Sequence, residues 1–229
     1  SSGAFYEPGT INIILMTNHQ LSERALTRAV ITATEAKTAA LLDMDIRVSN
    51  GTGAWRATGT GTDNILIVQG EGKELNNAGG HSKLGELIGR AVHDGVTRAV
   101  RKQNHLMAGR AIFQRLEERG LSVGELIGSA KCDCLREKSD VAEAVEKILL
   151  DSRYAGFIEL AFAVSDDYEK GLITDISQFN QLALTISQKI AGQPVTRLRD
   201  LVAEDQAPRV MRTALNAILT GADKRTDIP

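Results

Sequence analysis

The chain has 229 residues, of which 42% are hydrophobic and 24% charged, and a formal net charge of -2. This is the composition of an ordinary globular protein, long enough for one large domain or two small ones. The charge balance argues against a general nucleic-acid binder, no apolar run approaches the ~18 residues that would cross a bilayer, and no basic-then-apolar leader is visible, so a cytoplasmic protein with no nucleic-acid or membrane partner is expected.

A strand comes almost at once. Ile11-Asn12-Ile13-Ile14-Leu15 is a β-branched run bounded by Pro8-Gly9 and Asn18-His19, and it reads as a buried strand. Ser22 is placed to cap a long helix, with Leu21 and Leu26 at the positions of a hydrophobic staple. Val30, Ala33, Ala40 and Met44 follow Leu26 at helical spacing. Between residues 25 and 42 the only charges are Arg28, Glu35 and Lys37, which predicts a helix covered on more than one side. A Gly- and Thr-rich stretch, 49–63, leads to a second buried strand, Ile65-Leu66-Ile67-Val68. Residues 70–80 read as a polar loop. Ser82 then caps a helix whose apolar stripe is Leu84, Leu87, Ile88, Ala91, Val92, Val96 and Val100. Strand, helix, strand, helix is the order of an α/β fold.

Beyond residue 106 the strand signals cease. Helices are expected near 107–119, 123–130, 140–150, 154–164, 176–190, 197–204 and 209–219. Ser122 with Glu125 matches a capping box. Gly120, Gly192 and Gly221 stand where helices should end, and Pro208 suits the start of the last one. The chain therefore divides into an α/β domain, 1–106, and an all-α domain without an assigned role, 107–229.

Three polar stretches are placed to carry chemistry. In Ala33-Thr34-Glu35-Ala36-Lys37-Thr38, Glu35 and Lys37 interrupt an apolar helix. Two residues apart, they cannot pair along it, so each either meets a partner elsewhere or reaches solvent. In Ala57-Thr58-Gly59-Thr60-Gly61-Thr62-Asp63, glycines allow close backbone approach and threonines add hydroxyls, as in loops that cradle anions. Asp63 is either a base or the residue that orients one; the plain alternative is a turn with an Asx hydrogen bond. No Gly-Lys-Ser/Thr follows, so the loop is not a Walker motif. In Gly79-Gly80-His81-Ser82-Lys83-Leu84-Gly85-Glu86, His81 and Lys83 fall at a helix N-terminus, where free N–H groups and the dipole favour anions. His81 is a candidate acid–base group or merely a cap. His19, His93 and His105 show no metal-ligand spacing. His93 lies seven residues after Glu86, on the same helix face. Cys132 and Cys134 are too close for an easy disulfide and too few for a structural zinc site. No metal or cofactor is expected.

Together these stretches resemble the conserved, C-terminal half of the adenosylcobinamide amidohydrolases. The likeness rests on Pro8-Gly9-Thr10-Ile11-Asn12-Ile13-Ile14, on Ala33-Thr34-Glu35-Ala36-Lys37-Thr38-Ala39-Ala40, on 57–63, and on 81–86 with Leu87-Ile88-Gly89. It covers about residues 8–100. The resemblance implies a corrinoid-salvage enzyme that cuts adenosylcobinamide to adenosylcobyric acid and aminopropanol. On that reading His81 and Asp63 are the first candidates for acid–base work, and Glu35 and Glu86 the second. Asn12, Lys37, Thr58, Gly59, Thr60, Gly61, Thr62 and Lys83 would bind substrate, with the loop and the His81 helix terminus lining one pocket. A non-catalytic corrinoid-binding or regulatory module is the alternative, and a nucleotide- or phosphate-dependent enzyme using the Gly-Thr loop is a third. Members of the family carry a substantial segment before the matching stretch, and two or three strands make a poor sheet alone. The α/β region is therefore expected to pair with such a segment or to form a homo-oligomer. A fainter likeness to self-cleaving N-terminal-nucleophile aminopeptidases suggests a layered sheet flanked by helices, by analogy of fold alone.

Overall fold

The computed structural model describes residues 9–48, 55–103, 111–129 and 138–225, and the chain forms two compact units, Ser1–Gly109 and Arg110–Pro229. His105, Cys132, Cys134 and part of the Gly-Thr stretch lie outside the described residues.

The first unit runs β1 (Asn12–Met16), β2 (His19–Leu21), α1 (Glu23–Asp43), β3 (Asn64–Val68), β4 (Gly72–Leu75) and α2 (Lys83–Gln103). β1 pairs with β3 in parallel, with Asn12 opposite Asn64, Ile14 opposite Leu66 and Met16 opposite Val68. β2 pairs in parallel with β4, with an irregularity in register between His19 and Leu21. Parallel neighbours need a crossover, and α1 supplies it. Ser22 caps α1 as expected, its Oγ accepting from Ala25 N at 3.3 Å, and Ser82 Oγ accepts from Gly85 N at 3.0 Å at the start of α2.

β4 falls where a polar loop was expected. Its Lys73 and Glu74 are exposed, so no apolar alternation marks it. Backbone pairing to β2 makes it a strand, helped by Gly72 N donating to Asn18 O at 2.8 Å. The core is built on small side chains: Ala25, Ala29, Ala33, Ala36 and Ala40 of α1 pack with Ile88, Val92 and Val96 of α2. Ile13, Leu15, Ile65 and Ile67 close it from the strands. The helical stripes are narrower than their sequences implied. Leu87 is 52% exposed, Val30 is 41% exposed, and Ala91 is also exposed. α1 therefore buries one broad side and no second one. Nor are β1 and β3 buried on both faces: Ile14 and Leu66 are 65% and 57% exposed.

The second unit contains α3 (Ile112–Glu117), α4 (Val123–Ser129), α5 (Lys138–Leu150), α6 (Ser152–Glu169), α7 (Ser177–Ala191) and α8 (Arg209–Lys224). No strand occurs among its described residues, so the molecule is mixed α/β followed by a helical part. Gly120 and Gly192 take the left-handed conformation expected at helix ends. α8 is buried around most of its circumference, including Asn216 and Thr220. Two expectations fail on this helix. Gly221 is not its terminus; it lies inside α8, where a Cβ would come within 2.7 Å of Ile190 Cβ on α7, so its bare backbone sets the helix–helix approach. Residues 197–204 are not a helix. They cross α8 as irregular chain, with Leu201 N and Val202 N both donating to Asn216 Oδ1 at 2.9 Å and Arg199 N donating to Thr220 Oγ1 at 3.0 Å. The apolar Leu201 and Val202 are buried in the same core as α8.

Candidate active site

The Gly-Thr loop folds around Asp63. This carboxylate sits at the entrance to β3 and accepts four hydrogen bonds. Oδ1 takes Ile11 N at 3.0 Å and Thr60 Oγ1 at 2.5 Å; Oδ2 takes Thr60 N at 2.9 Å and Lys37 Nζ at 2.5 Å. One side chain thus ties the start of β1, the loop and α1 together. The Lys37 and Asp63 side chains are only 10% and 12% exposed. Burial by itself would raise the Asp63 pKa. The hydrogen bonds from Lys37, from the Thr60 hydroxyl and N–H, and from Ile11 N outweigh it and lower the value from the usual 3.8 to about 2. Asp63 is therefore ionised at neutral pH. All four of its lone-pair directions are taken, and through them it orients Lys37 and the loop.

The rest of the loop follows from this anchor. Thr38 Oγ1, next to Lys37 on α1, donates to Thr58 O at 3.1 Å. A Cβ on Gly59 would lie 2.5 Å from Asp63 Oδ2 and 2.6 Å from Lys37 Nζ, so the ion pair closes only over a glycine. Thr62 and Thr10 share a hydroxyl hydrogen bond of 2.6 Å. Asn64 Nδ2 donates to Thr62 O at 2.9 Å and reaches Asn12 Oδ1 at 3.4 Å. Thr58, Thr60, Gly61, Thr62 and Asn12 are exposed, which leaves a polar rim of hydroxyls and amides beside a buried ammonium. Thr10, Thr38 and Asn64 belong to this rim although their positions alone did not single them out. For Thr10 and Asn64 the available signal was a threonine or asparagine at a strand entrance; Thr38 lies within α1 beside Lys37.

The remaining candidates stand elsewhere. His81 is exposed, in the turn before α2. The turn itself is held by Thr32 Oγ1 donating to Ala78 O at 2.9 Å, and Thr32 lies more than a helical turn from Lys37 along α1. No hydrogen bond or ion pair among the described residues joins His81 to the Asp63 cluster. Lys83 and Arg90 both pair with Glu86, each at 2.9 Å, and the Lys83 hydrogen bond and charge, with that of Arg90, hold the Glu86 pKa below its usual range. Glu35 is exposed on α1. His93 does not partner Glu86; its Nε2 meets Asp43 Oδ2 at 2.9 Å, linking α2 to the end of α1. His19 Nδ1 lies 2.9 Å from Lys73 O. Among the described residues no three His, Cys, Asp or Glu side chains gather as a metal would need, and no helix is long and apolar enough to cross a membrane.

Residues 2–108 match the family model described as adenosylcobinamide amidohydrolase. The match lies in the N-terminal part of this chain, not a C-terminal one, and extends beyond 8–100 on both sides. An uncharacterized protein of Methanocaldococcus jannaschii is 49% identical over 100 residues, which are 44% of this chain and 39% of that protein. An adenosylcobinamide amidohydrolase of Methanosarcina mazei is 36% identical over 98 residues, 38% of this chain and 44% of that enzyme. The chain thus spans about two fifths of the length of the curated relatives it matches. No solved structure matches it. Over residues 2–108 the N-terminal unit of this chain is thus similar to the adenosylcobinamide amidohydrolases.

Proposed function

We propose that the α/β domain, 1–106, acts in the hydrolysis of adenosylcobinamide to adenosylcobyric acid and aminopropanol, in cytoplasmic corrinoid salvage. The observation that carries this reading is that the matched stretch contains the whole Lys37–Asp63–Thr60 cluster. Amide hydrolysis needs a group to stabilise the oxyanion formed when water adds to the carbonyl, and an acid for the departing amine. Lys37 suits the first task. Its ammonium is fixed in direction by Asp63, in a partly dried setting where a charge acts strongly. The exposed rim of Thr58, Thr60, Thr62 and Asn12 suits hydrogen bonding to the peripheral amides of a corrin. His81 is the candidate acid for the leaving amine, with Glu35 and Glu86 behind it. On this reading the sheet is layered, with cover on both faces.

A corrinoid-binding module is the second reading. It is favoured by one specific feature, the filled lone pairs of Asp63, which leave no carboxylate free in the cluster to activate water. Incubation with adenosylcobinamide, with product release followed by chromatography and binding by the change in corrin absorbance, separates the two. Release of adenosylcobyric acid supports the enzyme. Saturable binding without release supports the module, and neither result rejects both.

A further inference from the structure

A hydroxyl that already donates to a carboxylate can act as a nucleophile, because the group that takes its proton is in place before substrate arrives. Thr60 meets that condition. Its Oγ1 lies 2.5 Å from Asp63 Oδ1, and the other oxygen of the same carboxylate lies 2.5 Å from Lys37 Nζ. Hydroxyl, carboxylate and ammonium form one hydrogen-bonded series, in which Lys37 orients Asp63 and Asp63 orients Thr60. Thr60 N also donates to Asp63 Oδ2 at 2.9 Å, so the backbone and side chain of Thr60 together engage both carboxylate oxygens. The members of the series differ in exposure. The Lys37 and Asp63 side chains are almost covered, whereas Thr60 is exposed and open to a substrate as large as a corrinoid. Thr62, its neighbour on the rim, is engaged differently: its hydroxyl is paired with that of Thr10 at 2.6 Å.

We infer that Thr60 is the nucleophile of amide cleavage, and that its Oγ1 carries the adenosylcobyric acyl group as an ester between two half-reactions. The inference deepens the hydrolase reading proposed above and rests on it. In the first half, Thr60 Oγ1 bonds to the amide carbonyl carbon and its proton passes to Asp63 Oδ1. His81 gives a proton to the departing nitrogen, the carbon–nitrogen bond breaks and aminopropanol leaves; the proton on Asp63 returns to His81 through solvent. In the second half, water adds to the ester carbon and one of its protons passes to Asp63 Oδ1. That proton goes to Thr60 Oγ1 as the carbon–oxygen bond breaks, and adenosylcobyric acid leaves. The same hydrogen bonds explain how a carboxylate with every lone pair filled can serve. The Thr60 hydroxyl is one of the donors that hold the Asp63 pKa low. As its oxygen bonds to carbon this donor is lost, so Asp63 becomes a better proton acceptor while the step proceeds. Once the ester has formed, Oδ1 keeps Ile11 N and has a free lone pair to meet the incoming water.

The test uses the full chain with adenosylcobinamide. Where breakdown of the ester is the slow half, acid-quenched turnover should leave the acyl group on the peptide that contains Thr60, read by mass spectrometry. Where its formation is slow, hydroxylamine should divert product to the hydroxamate with no change in the rate of aminopropanol release. Thr60→Val should lower turnover at least about 10³-fold while corrinoid binding, read from the absorbance, stays as in the wild type. Thr60→Ser, which keeps a hydroxyl, should retain at least about a tenth of the rate. An enzyme that turns over and shows neither the ester nor the diversion overturns the inference and leaves the hydrolase reading standing. So does a Thr60→Val chain that keeps more than about a tenth of the wild-type rate. A wild type that releases no adenosylcobyric acid overturns both. The ester and the diversion are read on the wild type, so a Thr60→Val chain that does not fold still leaves the question decided.

Discussion

In the helical unit, α8 is enclosed by its neighbours, and even its polar Asn216 and Thr220 are buried with partners. In the α/β unit, β1 and β3 half-bury Ile13, Leu15, Ile65 and Ile67 and leave Ile14, Met16, Leu66 and Val68, equally apolar, in the open. Both units begin from apolar runs, but only the helical one closes a core around them. Hydrophobic sequence states a demand for burial; whether it is met depends on how many elements the fold has to cover each face. The α/β unit compensates with an electrostatic clamp. Asp63 joins β1, the Gly-Thr loop and α1, a task that in the helical unit is shared between packing and polar ties such as Asn216 to Leu201 and Val202.

Substitutions should therefore cost most in the second unit. Phe162 is 2% exposed, with the Arg119 guanidinium 3.9 Å above its ring. Phe162→Ala should lower stability by about 3–5 kcal/mol, read as a lowered denaturation midpoint and faster amide exchange in peptides of 138–225. The largest effect in the first unit should come from the clamp, not from an apolar residue. Asp63→Asn leaves the Lys37 charge without its counter-ion and should cost about 3 kcal/mol. Gly59→Ala should cost about 1–3 kcal/mol, since its Cβ intrudes on the same ion pair. A change below 0.5 kcal/mol in either variant would mean that the clamp does not hold the unit together.

Acid should sharpen the contrast. Because the folded-state pKa of Asp63 is about 2, below its usual 3.8, the native state favours the ionised form. The resulting stability, about 2 kcal/mol, is fully present above pH ~4 and is lost as pH falls towards 2. Chemical denaturation of the wild type and Asp63→Asn across that range should show this loss in the wild type and a shallower slope in the variant. At the small end, Leu66→Ser should change stability by less than about 0.5 kcal/mol, although the same change at a buried strand residue would be severe. His81→Ala should be equally mild for stability, since Ser82 and not His81 caps α2. On the proposed function it should lower turnover of adenosylcobinamide on the order of 10²–10⁴-fold; unchanged turnover would remove His81 from the acid–base role.

Local rules determined much of this protein. The caps of α1 and α2, the two strands on either side of the Gly-Thr loop, the helical character beyond residue 110 and the left-handed glycines at 120 and 192 follow from backbone chemistry carried by one to four residues. The polar stretches were legible for the same reason: Lys37 inside an apolar helix needed a counter-charge, and a Gly-Thr loop ending in Asp63 offered one. Tertiary structure decided what depends on partners distant in sequence. That β4 is a strand rests on a backbone ladder to β2, about fifty residues away. That Gly221 spaces two helices, and that 197–204 drapes over α8 without forming a helix, depends on neighbours invisible in a linear pattern. Periodicity tells which residues share a face, but not whether anything covers it, so β1 and β3 read as buried strands and stand half open. For Asp63, sequence offered base or orienter, with acid–base work the role the resemblance implied; the four donors that converge on it, from the start of β1, the loop and α1, are set by the fold.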